Sequence, residues 1–216
     1  MTFGKSNGSW QLRLPALFLI WLLLPGPAPI SLAQTPPQSE RAAEPPGWNA
    51  EQLIGSLAKN RQAEVRFEET AFSNLLTQPL KTRGILRFTP PAGLEKHIIA
   101  PHDERYFVEG DTVLFESKTK GTKRTLSLHD YPVLLAFIEA FRSTLANDVI
   151  TLKRFYSVTL QGEPRRWVLM LRPLDKAVQE LVESIRFSGE GEGLGSIEIL
   201  APDGDRSVMV ITTGAP

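Results

Sequence analysis

His97, His102 and His129 are the only three histidines of the chain, and they fall on three separate segments. No Gly-x-Ser-x-Gly elbow stands near any of them, so a nucleophilic serine with an imidazole base has no frame in this sequence. His102, Asp103 and Glu104 are consecutive after Pro101. Consecutive loop residues point apart and rarely close on one ion, and no second cluster completes a ligand set. They read as a solvated turn. Gly189, Gly191, Gly193 and Gly195 have the look of a phosphate loop. Glu190 and Glu192 lie between them, and a strand pattern follows rather than a helix. A phosphate would meet two carboxylates and no helix N-terminus, so the stretch reads as a slack hairpin connection. The sequence contains no cysteine. That excludes a disulfide framework, a thiolate metal site, a cysteine nucleophile and an acylated N-terminal cysteine. The residues describe a protein that is not an enzyme and uses no metal and no cofactor.

Two features remain. Lys118, Lys120, Lys123 and Arg124 cluster around Gly121 in a hairpin pattern, and all four are expected to be exposed. They read either as a charged edge that blocks strand-to-strand aggregation or as a docking patch for acidic head groups or a partner. The second feature is a strongly apolar helix. Asp130-Tyr131-Pro132 starts it, and Val133, Leu134, Phe137, Ile138, Phe141 and Leu145 follow at helical spacing through residues 130–146. Alone, such a helix is core. Over a single curved antiparallel sheet with one apolar face, two amphipathic helices leave a groove instead. A groove suits acyl chains, which gain about 0.8 kcal/mol per buried CH₂.

The elements that position these residues follow from period and punctuation. Among the first 33 residues only Lys5 and Arg13 are charged. Residues 14–24 are an apolar run of 11, about half of what a membrane span needs. Prolines break it, and Ser31-Leu32-Ala33 places small residues at −3 and −1 of a cut before Gln34. Residues 1–33 therefore read as a secretory signal peptide, and the mature protein as a soluble, unlipidated monomer of the periplasm. Residues 34–47 hold Pro36, Pro37, Pro45 and Pro46 and form a flexible tether. The mature chain keeps 22 basic and 24 acidic residues, a net charge of −2, which excludes a strongly basic nucleic-acid binder and a highly charged disordered chain.

From Trp48 to the end, residues 48–216, the pattern is one domain. Asn49 caps a helix carrying Leu53, Ile54, Leu57 and Ala58. Alternation then gives strands near 63–68, 83–89, 94–100, 106–108, 112–115 and 122–128, followed by the apolar helix. Strands are expected over 152–160, 166–171, 185–187, 196–200 and 207–212, with a short turn or helix within 173–181. Glu109-Gly110-Asp111 is a tight hairpin signature. About ten short strands with mostly hairpin connections predict an antiparallel sheet.

In order, these motifs resemble the LolA-type outer-membrane lipoprotein carrier family. The likeness runs through the helix with Leu53-Ile54 and Leu57, Val65-x-Phe67-x-Glu69, Gly84-x-Leu86-x-Phe88 with prolines after it, 98–101, the Gly110-Asp111 hairpin leading to Leu114-Phe115, Leu169-x-Leu171-x-Pro173, and the Asp203-Gly204 turn. The resemblance implies a mainly β fold with α: a curved antiparallel sheet forming an incomplete, half-open β-barrel covered by a lid of α-helices, LolA/LolB-like. It also implies a carrier of lipoprotein acyl chains, moving from an inner-membrane exporter to an outer-membrane acceptor. The chain departs from the family at Pro90-Pro91, where the family has Arg-Pro, and at Leu94 and His97, where it has Phe and Trp. In the family that arginine helps hold the lid shut, and Pro90 has no group to do so.

On this reading strand parity assigns Phe67, Leu86, Phe88, Leu94, Trp167 and Leu169 to the groove, and Leu134, Phe137, Ile138 and Phe141 to the lid. The ligand is the acylated part of a lipoprotein or a related lipidated cargo. The alternative is a lipid-sensing or scaffold protein of the same fold, acting through protein contacts. For the leader, intact-mass measurement of the exported protein is expected to give a chain starting at or near Gln34. A membrane-bound protein that keeps residues 1–33 would overturn it.

Overall fold

The structure is a computed structural model and describes residues 48–60 and 63–212. The leader, residues 1–33, and the tether, residues 34–47, lie outside the described residues. Each alternating run is a strand: β1 (Glu64–Phe72), β2 (Leu80–Thr89), β3 (Gly93–Ala100), β4 (Glu104–Glu109), β5 (Thr112–Ser117), β6 (Thr122–Ser127), β7 (Tyr156–Glu163), β8 (Arg166–Pro173), β9 (Ser184–Glu190), β10 (Gly193–Leu200) and β11 (Arg206–Thr212). They make one antiparallel sheet of eleven strands in the order β6-β5-β4-β3-β2-β1-β11-β10-β9-β8-β7. The chain thus meanders from the centre out to β6, crosses to the far edge at β7, and meanders back until β11 pairs with β1. The pairing Phe67 with Ile211 and Glu69 with Met209 joins the two halves.

The crossing is made by α2 (Pro132–Ala146) and α3 (Val149–Phe155). Leu134 and Ile138 of α2 pack in one cluster with Val108, Val113 and Leu126 of β4, β5 and β6. Phe141, one to two turns further on, meets Phe187 of β9 edge-on with ring centroids 5.5 Å apart. Leu134 and Phe141 lie only about 10 Å apart along a helix axis. In a flat sheet β5 and β9 would lie about 34 Å apart. The sheet therefore curls into an open half-barrel, with α2 on its concave face.

Helix α1 (Ala50–Asn60) starts as the sequence predicts, with Asn49 Oδ1 accepting from the Gln52 amide at 2.9 Å. It buries Leu53, Ile54 and Leu57. Glu51 pairs with Lys153 of α3, and Ser56 Oγ donates to Glu192 Oε1 at 3.0 Å. Helix α4 (Lys176–Gln179) fills the segment expected as a turn or helix, capped by Asp175.

Two expectations are corrected. The strand expected from residue 152 begins only at Tyr156, because 149–155 is helix. Val149, Ile150 and Thr151 look like a strand by type. Asn147 ends α2 at φ 61°, however, and Asp148 restarts a helix by accepting from the Thr151 amide at 2.9 Å. The glycine run is not slack either. Strands β9 and β10 extend into it, leaving only Gly191-Glu192 as the turn. A Cβ at Gly189 would sit 2.5 Å from Trp167 Cζ2 and 2.0 Å from the Gly193 carbonyl oxygen, so glycine lets the indole lie flat on the strand. Trp167 Nε1 then donates to the Gly191 carbonyl at 2.8 Å. Chemical denaturation should find Gly189→Ala destabilised by about 1–3 kcal/mol through overpacking. Gly195→Ala, whose Cβ would meet nothing closer than 3.6 Å, should lose clearly less. Equal losses would refute this account.

Candidate functional site

Register decides which side chains share the concave face. Phe67 lies opposite Gly84, Gly84 opposite Ile98, and Leu86 opposite Val65 and Lys96. Phe88 lies opposite Leu94, and Leu94 opposite Val108. Across the sheet Trp167 faces Gly189 and Leu169 faces Phe187. Phe67, Leu86, Phe88, Leu94, Trp167 and Leu169 therefore stand on one face, the one beneath α2. Leu86 and Leu94 are half-buried and the other four buried. Leu134, Phe137, Ile138 and Phe141 are all buried on the underside of α2. The Phe137 and Phe141 rings pack against each other tilted by 47°, with centroids 5.1 Å apart. Tyr156 Oη donates to the Ala136 carbonyl at 2.8 Å, and burial pushes its phenol well above the usual range.

A polar latch fixes α2. Arg142, 7% exposed, donates through Nε to the Ala92 carbonyl at 2.8 Å and through Nη2 to the Gly110 carbonyl at 2.9 Å. Nη1 pairs with Glu139 at 3.1 Å. Ala92 lies in the β2–β3 turn and Gly110 in the β4–β5 turn. One side chain thus ties the helix to two hairpin tips, with the arginine on the helix rather than on the strand turn.

The concave face also has a buried polar floor that the apolar reading of the sequence did not find. Glu69 and Lys96, 4% and 5% exposed, pair at 2.6 Å. Glu69 also accepts from Ser207 Oγ at 2.6 Å and Thr82 Oγ1 at 3.3 Å. The ammonium lies 5.2 Å from the Phe67 ring centroid. Burial pushes Lys96 below the ordinary lysine range, and the Glu69 carboxylate opposes that shift. Gly84, between Phe67 and Ile98, has no side chain in the way. The signal was present: alternation puts Glu69 with Phe67 and Ala71, and Lys96 with Leu94 and Ile98.

The hairpin cluster is split. Lys118 and Lys120 are exposed and paired, with Asp103 at 3.1 Å and Glu104 at 3.6 Å, and Lys123 is exposed. Arg124 is not. It lies opposite Phe115 on the concave face, half-buried. Consecutive strand residues point to opposite faces, so Lys123 and Arg124 of β6 could not both be outward. The His102-Asp103-Glu104 turn is likewise only partly solvated. Asp103 meets His97 Nε2 at 2.9 Å, and its carboxyl is held low by His97 and Lys118. Glu104 is buried against the Tyr106 hydroxyl at 3.3 Å. Among the described residues no group of three or more His, Cys, Asp or Glu side chains is placed to hold a metal ion, and no helix is long and apolar enough to cross a membrane.

Residues 42–216 match the family described as outer membrane lipoprotein carrier protein LolA-like. The chain belongs to that family. No curated protein matches the sequence. Among solved structures, a LolA superfamily protein of Nitrosomonas europaea is similar at 10% identity, with 77% of this chain and 94% of that one covered and a TM-score of 0.39. A conserved protein of Thermus thermophilus is similar at 10% identity, covering 76% and 84%, TM-score 0.46. A chain of the Pseudomonas aeruginosa MucA/MucB complex is similar at 12% identity, covering 77% and 58%, TM-score 0.39. Likenesses this distant carry no functional detail.

The polar floor gives a direct test. Lys96→Met leaves Glu69 buried with hydroxyls alone, and should cost about 3–5 kcal/mol in chemical denaturation. The double variant Glu69→Leu with Lys96→Met should recover most of that loss, because no buried charge remains unpaired. Purely additive losses would contradict the pairing.

Proposed function

We propose that this protein is a periplasmic carrier that holds the acyl chains of a lipoprotein or related lipidated cargo between α2 and the concave face and passes them toward the outer membrane. One observation carries the reading. An apolar helix rests on an apolar sheet face, and Arg142 ties it to two hairpin tips. Lifting α2 bares Leu134, Phe137, Ile138 and Phe141 together with the strip of Phe67, Phe88, Leu94, Trp167 and Leu169. Acyl chains cover such surface and need no hydrogen-bond partner. Loading needs no nucleotide. Release follows from a partner that binds the chains or the open lid better. By family resemblance the donor is an inner-membrane exporter and the acceptor an outer-membrane protein.

The alternative, a lipid sensor or scaffold acting through protein contacts, is favoured by the β1–β2 loop, where Leu75 and Leu76 stand 73% and 41% exposed. Apolar side chains on a loop tip suit a protein partner. Mass spectrometry of the protein purified from its own periplasm separates the two, with bound lipid supporting the carrier and an empty protein with a stable partner supporting the sensor.

The carrier reading is tested by titrating a fluorescent fatty acid. The parent protein is expected to bind it. Phe137→Ala and Phe141→Ala should each weaken binding by about tenfold or more, in line with about 1.5–3 kcal/mol for a buried apolar side chain. A disulfide engineered between α2 and the sheet should block loading when oxidised and restore it when reduced. No probe binding in the parent protein would sink the carrier and leave α2 as an ordinary core helix.

A further inference from the structure

We infer that the concave face carries a subsite for an anionic group at its β6 edge, with Arg124 as the binding residue, so that the cargo is an acylated anion such as a phosphate-bearing lipid moiety. The inference rests on the carrier reading and names its ligand class. The register pairs Val113 with Leu126, Phe115 with Arg124 and Ser117 with Thr122. Arg124 therefore shares the concave face with the buried Phe115 and Leu126, whereas Lys123 and Thr125 face the other way. Its Nη1 is shielded from solvent and donates to no acceptor. A cationic donor buried without an acceptor is disfavoured, so a ligand that supplies one is favoured in proportion.

The carboxylate that the register brings to this end of the concave face, Glu104, is already matched. Glu104 accepts from the Tyr106 hydroxyl and lies 3.6 Å from Lys120 Nζ. Arg124 makes no ion pair with a carboxylate among the described residues. What surrounds it suits an anion. Tyr106 and Phe115, with ring centroids 5.0 Å apart, form an apolar wall. The buried Ser117 hydroxyl accepts from the Lys120 amide at 3.3 Å, which leaves its own O–H to donate. A guanidinium is a planar fork that matches phosphate or carboxylate oxygens in pairs.

Position couples this subsite to the tails. Leu126, two residues from Arg124 and so about 7 Å along the strand, is in the cluster with Leu134 and Ile138 of α2. β6 is an edge of the sheet. A head group can reach Arg124 from that open side while its chains lie under the lid.

The test compares 1-oleoyl-lysophosphatidic acid with 1-oleoylglycerol, which differ by the phosphate, by displacement of a fluorescent fatty acid from the full mature chain. The phosphate-bearing ligand should bind about tenfold tighter or better. Arg124→Gln should abolish that preference and leave 1-oleoylglycerol affinity unchanged, which also shows that the variant is folded. Arg124→Lys should keep part of the preference. Equal affinity for the two ligands in the parent protein overturns the subsite while the carrier reading stands. So does a preference that survives Arg124→Gln but disappears in Lys118→Gln with Lys123→Gln, since the contact would then be the outward hairpin. Inorganic phosphate alone should bind only weakly. Saturation by micromolar phosphate would overturn the assignment to an acylated anion. No affinity for either oleoyl ligand fails the carrier reading itself.

Discussion

The chain must cross its own sheet once, from the edge at β6 to the edge at β7, and much of the architecture follows from that crossing. Hairpins link every other neighbouring pair of consecutive strands, so one connection has to bridge opposite edges. It does so as helix, since a helix satisfies its own backbone hydrogen bonds while passing over an apolar surface. The sheet curls until β5 and β9 both reach α2. The lid is therefore a covalent bridge anchored at both ends. Its natural joints are the 3₁₀ turn Leu128–Asp130 before it and the left-handed Asn147 after it. Any opening is a swing about those joints rather than the release of a free arm.

The seam where β1 meets β11 needs a different kind of order, because an apolar face alone does not define register along a strand. Glu69 defines it. Its carboxylate touches Thr82 on β2, Lys96 on β3 and Ser207 on β11. A slip of one residue would turn Glu69 outward and strand Lys96 in the core. A buried pair of this kind adds little net stability against an apolar substitute; its effect is to penalise every misregistered sheet. Gly84 takes part through its backbone. At the bulge between β2 and β3 a Cβ there would sit 1.9 Å from the His97 carbonyl oxygen, so the position admits glycine and leaves the lysine a path over Phe67.

Strand parity was the legible part of this sequence. It put Phe67, Leu86, Phe88, Leu94, Trp167 and Leu169 on one face because an open sheet has one apolar side and a period of two. The same rule, applied to charges, would have drawn Glu69, Lys96 and Arg124 inward. They escape a hydrophobic reading because ionic side chains count as surface by default. Helix α3 escapes for a local reason. Its β-branched opening favours a strand, and the decisive group is one Asp148 oxygen on the Thr151 amide. At Gly189 the determinant is the indole of Trp167, more than twenty residues away, and nothing in the local composition announces it.

Placing the arginine on the helix changes what the latch depends on. The family resemblance expects a side chain on the β2–β3 turn, where this chain has Pro90-Pro91. Here the turns offer only the carbonyls of Ala92 and Gly110, and backbone acceptors persist whatever residues the turns carry. The specificity of closure is thereby concentrated in Arg142, with Glu139 steadying its free nitrogen. Charged-group hydrogen bonds are each worth about 1.5–3 kcal/mol net, while a single apolar side chain under the lid is worth about as much. The latch is therefore comparable to one or two lid contacts and small beside the whole apolar interface. It fixes the position at which the lid rests, and the apolar surface fixes how firmly. A partner that competes for the apolar surface removes most of what holds the lid down, and the latch gives way with it.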